Sequence, residues 1–142
     1  MVLAWVGPAQ AKAAAPASTR SDTLEAIHHI ENPSDSPRPG RYGELGAYQF
    51  RRTTWRMYSK LPFERALDQE AADEVAVRHY EWLKSGLARN GWKQTPYNIA
   101  LAWNGGLNAV VNGRTSAATR DYAQRVSNLV LELRSGSLVT LH

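Results

Sequence analysis

The stretch from Asp68 to Ala88 constrains the fold of this chain more than any other. Ala71, Ala72, Val75, Ala76, His79 and Leu83 recur at intervals that place them on one face of a helix. A stripe of that kind needs other elements to cover it, so the spacing predicts a helix over about 68–88 packed within a domain. Asp68 stands at the N-cap position and Asn90-Gly91 ends the run. Similar punctuation marks the other elements. Asp22-Thr23-Leu24-Glu25 is a capping arrangement that predicts a helix to about Glu31, where Asn32-Pro33 stops it. A short helix is expected near 53–59, starting at Thr53 or Thr54. Thr95-Pro96 caps a helix over 97–104, broken at Gly105-Gly106. A turn or helix follows over 107–112. The last helix starts near Ala118 and carries Tyr122, Val126, Leu129, Val130 and Leu133 on one side. Strand-like alternation is scarce, with a brief strand or turn suggested only by Tyr48, Phe50 and Thr53 around Gln49. The expected fold class is all-α, with at most a small β element.

The chain has 142 residues, 43% hydrophobic and 21% charged, which fits one ordinary globular domain. No uninterrupted apolar run approaches the roughly 18 residues that a membrane span needs. Cysteine is absent. That excludes disulfides, thiolate metal sites and cysteine nucleophiles, and leaves the compartment open. The net charge is +4, and Arg38, Arg41, Arg51, Arg52 and Arg56 supply a local excess. Such a run suits an anionic polymer, either nucleic acid or a cell wall bearing peptide carboxylates, and equally suits a plain solvated face. No nucleic-acid motif accompanies it. Residues 1–19 differ in character, with an apolar start, an Ala-rich stretch and then Ala-Pro-Ala-Ser. They read as a flexible arm or the remnant of a signal peptide, and we expect export to the periplasm or the exterior. The remaining domain is expected over 20–142.

Glu31 is the residue whose position most needs a reason. A helix C-terminus carries partial negative charge, which disfavours a carboxylate by about 0.3–1 kcal/mol. Ile27 and Ile30 put Glu31 at the margin of a core, where desolvation raises a carboxyl pKa. A carboxyl that keeps its proton near neutrality is what a general acid requires. The loop that follows, 32–46, holds Pro33, Pro37, Pro39, Gly40, Gly43 and Gly46. Loops of that length inside a domain are usually functional.

Three stretches, in order, resemble the lytic transglycosylases and goose-type lysozymes of bacterial cell-wall metabolism. Ala26-Ile27-His28-His29-Ile30-Glu31 looks like the helix that delivers the family's catalytic glutamate. Gly43-Glu44-Leu45-Gly46-Ala47-Tyr48-Gln49-Phe50 is similar to its Gly-x-x-Gly-Leu-Met-Gln-Ile segment. Asn98-Ile99-Ala100-Leu101-Ala102-Trp103-Asn104-Gly105-Gly106 is similar to its Ala-Tyr-Asn-x-Gly segment. A weaker echo of the final helix lies in Thr119-Arg120-Asp121-Tyr122. The resemblance covers about residues 22–134. The chain departs from the family where Asn32-Pro33 stands in place of Ser-Gly, Tyr48 in place of Met, and Trp103 in place of Tyr.

The resemblance implies a lysozyme-like helical domain that cuts the β-1,4 bond between N-acetylmuramic acid and N-acetylglucosamine in peptidoglycan. Glu31 would be the acid and then the base, with the substrate's own 6-hydroxyl attacking to give a 1,6-anhydro sugar. Asn104 would hold the N-acetyl group, and Tyr122 would reach Glu31 from the last helix. Gln49 offers a donor and an acceptor that suit an amino sugar or, equally, the loop backbone. Tyr48, Trp55 and Trp103 suit stacking on sugar rings or ordinary core packing. Glu44 is either a second acid, as in paired-carboxylate glycosidases, or an ion-pair partner of Arg41 or Arg51. Alternatives of the same fold are a hydrolysing lysozyme or a chitin-cleaving enzyme; one of another class is a non-catalytic glycan-binding scaffold. His28 and His29 diverge by about 100° on a helix and lack a metal-site spacing, and His79 reads as core. We expect no metal or cofactor, glycan strands as the partner, no nucleic acid, no membrane span, and a monomer.

Overall fold

The computed structural model describes residues 15–136, and residues 1–14 of the predicted arm lie outside them. Six α-helices make up most of this region: α1 (Ala15–Glu31), α2 (Arg52–Tyr58), α3 (Gln69–Arg89), α4 (Pro96–Gly105), α5 (Leu107–Val111) and α6 (Ala117–Ser135). A 3-10 turn over Phe63–Leu67 leads into α3. Among the described residues there is no strand, only an isolated antiparallel bridge between Leu45 and Phe50. The protein is all-α in this sense, and apart from the start of α1 the helices fall within a few residues of where periodicity puts them. No described helix is long and apolar enough to cross a membrane.

The stripe on α3 is buried as its spacing requires, with Ala72, Val75, Ala76, Leu83 and Leu87 in the core. Helix α4, sealed by Ile99, Ala100 and Ala102, packs along α6 and touches α5, α3 and α1. Helix α6 presents Val126 and Val130 inward and also covers α1, where Ile27 is wholly buried. Each fully buried Val, Leu or Ile contributes roughly 1.5–3 kcal/mol, so this layer holds α1 and its terminal Glu31 in place. Gly86 lets α3 approach α5, since a Cβ there would run into the Leu107 side chain.

Three local expectations are corrected. The Asp22…Glu25 pair lies inside α1 and starts no helix. Thr23 is buried and donates to the Thr19 carbonyl (2.7 Å), while Asp22 faces Arg134 at 3.7 Å. The helix extends toward Ala15 because tertiary contacts tie down its first half: Arg20 pairs with Glu81, and Arg134 donates to Thr19. The expected boundary between residues 19 and 20 therefore falls within a continuous helix. Asp68 has the N-cap backbone position but no side-chain capping bond; its carboxylate accepts from Arg65 at 3.0 Å. Thr95 caps α4 as expected, accepting from the Asn98 N–H, and Ser116 caps α6 through Thr119.

The 32–46 loop is fastened at both ends. Asn32 is buried; its amide donates to the carbonyls of Ser36 and Gly46, each at 3.1 Å, and accepts from the Ser36 N–H at 2.9 Å. At the far end Gly46 has φ +83, and any Cβ there would collide with the Ala66 carbonyl of the 3-10 turn. Only glycine combines that backbone with that contact.

Candidate active site

A cleft of about 600 Å³ opens where α1 ends, bounded by the 44–51 segment, α2, α3 and the α4–α5 junction. Glu31, Glu44, Gln49, Trp103 and Asn104 all line it, so five of the seven side chains singled out in the sequence share one cavity. They come from three separate segments.

Glu31 brings the last residue of α1 into this group. Its Oε2 accepts a hydrogen bond of 3.0 Å from the Tyr122 hydroxyl, ninety-one residues further on and itself buried on α6. Burial pushes the Glu31 carboxyl up to about 7; the Tyr122 bond and Arg125 pull it down, and Glu44 pushes it up again. Burial is the largest of these influences, because water that would stabilise the anion has been replaced by α6 and the apolar side of α1. A carboxyl with this value is half protonated near neutrality. It can give up a proton and take one back at the same pH.

Glu44 faces the same cleft, but it is not neutralised by the nearby arginines. Its Oε1 accepts from the Tyr42 N–H at 2.6 Å, which fixes its rotamer through the loop backbone. Arg41 and Arg51 lie over the Tyr42 ring, 5.4 and 5.2 Å from its centroid, and form no ion pair among the described residues. The expectation that Glu44 pairs with Arg41 or Arg51 is therefore corrected. The missing side chain of Gly40 is what lets Glu44 and Gln49 converge: an oxygen of each lies 2.8 Å from where a Cβ would stand. Gln49 has φ +49 and donates its side-chain amide to the Gly46 carbonyl at 2.9 Å. It thus bridges loop backbone and lines the cleft at once, joining the two roles that its sequence left open.

Asn104 lies at the end of α4, exposed to the cleft. Its carbonyl oxygen accepts from Thr119 at 2.7 Å, which orients the amide and leaves its N–H groups toward the cavity. Trp103 is half-buried, its ring among Tyr48, Phe50 and His79.

One aromatic expectation is corrected, and for Trp55 the core alternative holds. Tyr48 does not line the cleft; it is buried, and its hydroxyl donates to Asp73 at 2.6 Å. Trp55 is fully buried against Phe50 and Phe63, with its indole N–H on the Leu61 carbonyl. Both are core aromatics whose polar tips have found partners. Tyr122 is likewise buried and reaches the cleft only through Glu31. Conversely, Trp82 of α3 belongs to the cleft wall, and His79, buried as its place in the sequence predicts, also borders the cleft. The signal that could have found Trp82 is a large aromatic on the otherwise polar flank of α3.

Among the described residues no three His, Asp or Glu side chains are grouped as metal ligands would be. His28 instead meets Asp35 at 2.6 Å. The chemistry available is proton transfer by Glu31 beside a second carboxylate, in a cavity large enough for a bulky polar ligand. Comparison with protein-family models, with curated proteins and with solved structures yields no match to this chain.

Proposed function

We propose that this chain is an exported, lysozyme-like glycosidase of peptidoglycan, and specifically a lytic transglycosylase. The observation that carries this reading is Glu31: a carboxyl held at about 7 by burial, fixed by Tyr122, in the lining of an open cleft. The four sequence stretches resembling the family supply the substrate class. Glu31 protonates the glycosidic oxygen as the bond breaks, which leaves it a carboxylate. The substrate's 6-hydroxyl then attacks the sugar's C1 and gives its proton to Glu31, closing a 1,6-anhydro ring. Asn104 and Gln49 offer amide groups to the N-acetyl and hydroxyl groups of the sugar, and Trp103 an apolar face to its C–H surface. No cofactor enters this scheme.

A second reading, a hydrolysing lysozyme, draws on Glu44. This carboxylate lies in the same cleft, unpaired by arginine and close enough to raise the Glu31 pKa. In that case it positions a water and the products carry reducing ends. Mass spectrometry of purified peptidoglycan after digestion separates the two. Anhydro ends, each one water lighter than a hydrolysed end, support the transglycosylase; reducing ends with an inactive Glu44→Gln variant support the lysozyme. Glycan binding without cleavage by the parent protein rejects both in favour of a binding scaffold.

A further inference from the structure

Helix α3 contributes to the cleft a histidine for which the scheme above has no use. His79 is largely buried, and its Nδ1 lies 2.7 Å from the Tyr58 hydroxyl of α2. Its ring is stacked on Trp82 (centroids 6.3 Å, planes 15° apart) and tilted against Trp103 at 4.8 Å. Rings on two sides and a hydroxyl at the edge leave the imidazole one orientation.

The proton position follows from the partners. Burial pushes the Tyr58 hydroxyl up to about 12, so it keeps its proton, and Nδ1 of His79 is its one acceptor among the described residues. Burial also pushes His79 down to about 4, so the imidazole is neutral at ordinary pH. A neutral ring that accepts at Nδ1 must carry its proton on Nε2. The reverse arrangement would spend the ring's proton on Tyr58 and leave the phenolic O–H without a protein acceptor.

Among the described residues Nε2 has no protein partner, yet no sealed side-chain nitrogen there lacks one. Nε2 is therefore not fully sealed, and the opening that His79 borders is the cleft. Beside it stand two of the chain's exposed large apolar side chains, Trp82 at 43% and Met57 at 53% exposure, both on the same cleft wall. A fixed neutral donor next to an exposed aromatic is the composition of a sugar-binding surface: the indole covers an apolar C–H face while the N–H meets an oxygen at its edge.

Resting on the glycosidase reading, we propose that His79 and Trp82 form a sugar subsite on the α3 wall of the cleft. In it the His79 Nε2–H donates to an uncharged oxygen of the bound glycan. Tyr58 is the positioning residue that holds His79 in the donating tautomer.

The test uses the Glu31→Gln protein, in which binding is measured without turnover, and the tetramer of N-acetylglucosamine as probe. Nitrogen-15 NMR should find His79 protonated on Nε2 in the free protein, with the Nε2–H resonance moving on titration. His79→Leu should weaken binding about tenfold, the equivalent of one good hydrogen bond. His79→Gln, which carries an N–H near the same place, should recover most of it; Trp82→Ala should lose binding by a similar factor. A proton found on Nδ1 overturns the inference. So does probe affinity within twofold of the Glu31→Gln parent in a folded His79→Leu protein, or no probe binding at all. Cleavage by the wild-type chain is scored separately: a chain that binds through His79 but never cuts glycan refutes the glycosidase and leaves the subsite standing.

Discussion

A carboxyl whose pKa is raised by burial works against the fold whenever it is charged. Glu31 moves from about 4.5 to about 7 on folding, so the native state binds the extra proton between those values. Its contribution is intact below about pH 4.5 and is lost as the pH rises through 7, because the unfolded chain releases the proton earlier. The cost above pH 7 is on the order of 3 kcal/mol at most, at about 1.4 kcal/mol per unit. Glu31→Gln should therefore melt several degrees above the parent at pH 8.5 and within a degree or so of it at pH 4, as thermal unfolding would record. The same variant should lose at least about 10²-fold in glycan cleavage while remaining folded. Tyr122→Phe removes an influence that lowers the Glu31 pKa. The basic limb of its pH–rate profile should accordingly shift upward from near 7; a limb that stays or moves down would show that Tyr122 does not act on Glu31 as described.

Among elements, the loop between α1 and α2 matters most, since it brings Glu44 and Gln49 to face Glu31. Its anchors are few. Asn32→Ala removes three hydrogen bonds at a buried site and should cost roughly 2–3 kcal/mol in denaturant unfolding. Amide exchange over 36–46 should rise by more than it does in the helices. Gly46→Ala adds a collision with backbone that has no room to yield, so it should destabilise by more than about 3 kcal/mol. How far such features can be read from sequence depends on their reach. The helices were legible because periodicity and caps are local: Thr95-Pro96 and Asn90-Gly91 mark ends within one turn. Glu31 was legible too, since its helix end and its apolar neighbours lie within the same few residues. The anchoring role of Asn32 was not, because a polar residue after a helix reads first as a stop signal. Tyr48 and Trp103 look alike as aromatics in a motif; only the approach of Asp73 takes one inward while the α4–α5 break opens the other to the cleft. Asp22…Glu25 misled for a similar reason, since the groups that extend α1 past it, Glu81 and Arg134, are far away in the chain.

At the scale of the molecule, charge is unevenly distributed. Arg38, Arg41, Arg51, Arg52 and Arg56 make no ion pair among the described residues, whereas Arg20, Arg65, Arg78, Arg125 and Arg134 each face an acid. Of these five, Arg51 lines the cleft wall, while Arg52 and Arg56 border a separate hollow beside Trp55 and Phe63. An Arg38→Gln, Arg56→Gln double variant should co-sediment less with insoluble peptidoglycan at low salt. The difference should vanish near 1 M salt, where the screening length is about 3 Å, with the melting temperature barely changed. Synthesis order adds something that the finished fold conceals. A ribosome delivers α1 first and α6 only after every element of the cleft wall. Until α6 docks, Glu31 lacks both its cover and Tyr122, so it is an ordinary solvated acid that gives up its proton well below neutrality. A chain that lacks α6 thus has neither the raised proton affinity of Glu31 nor the Thr119 hydroxyl that orients Asn104. Docking of the closing helix completes the acid and the amide of the cleft in one step.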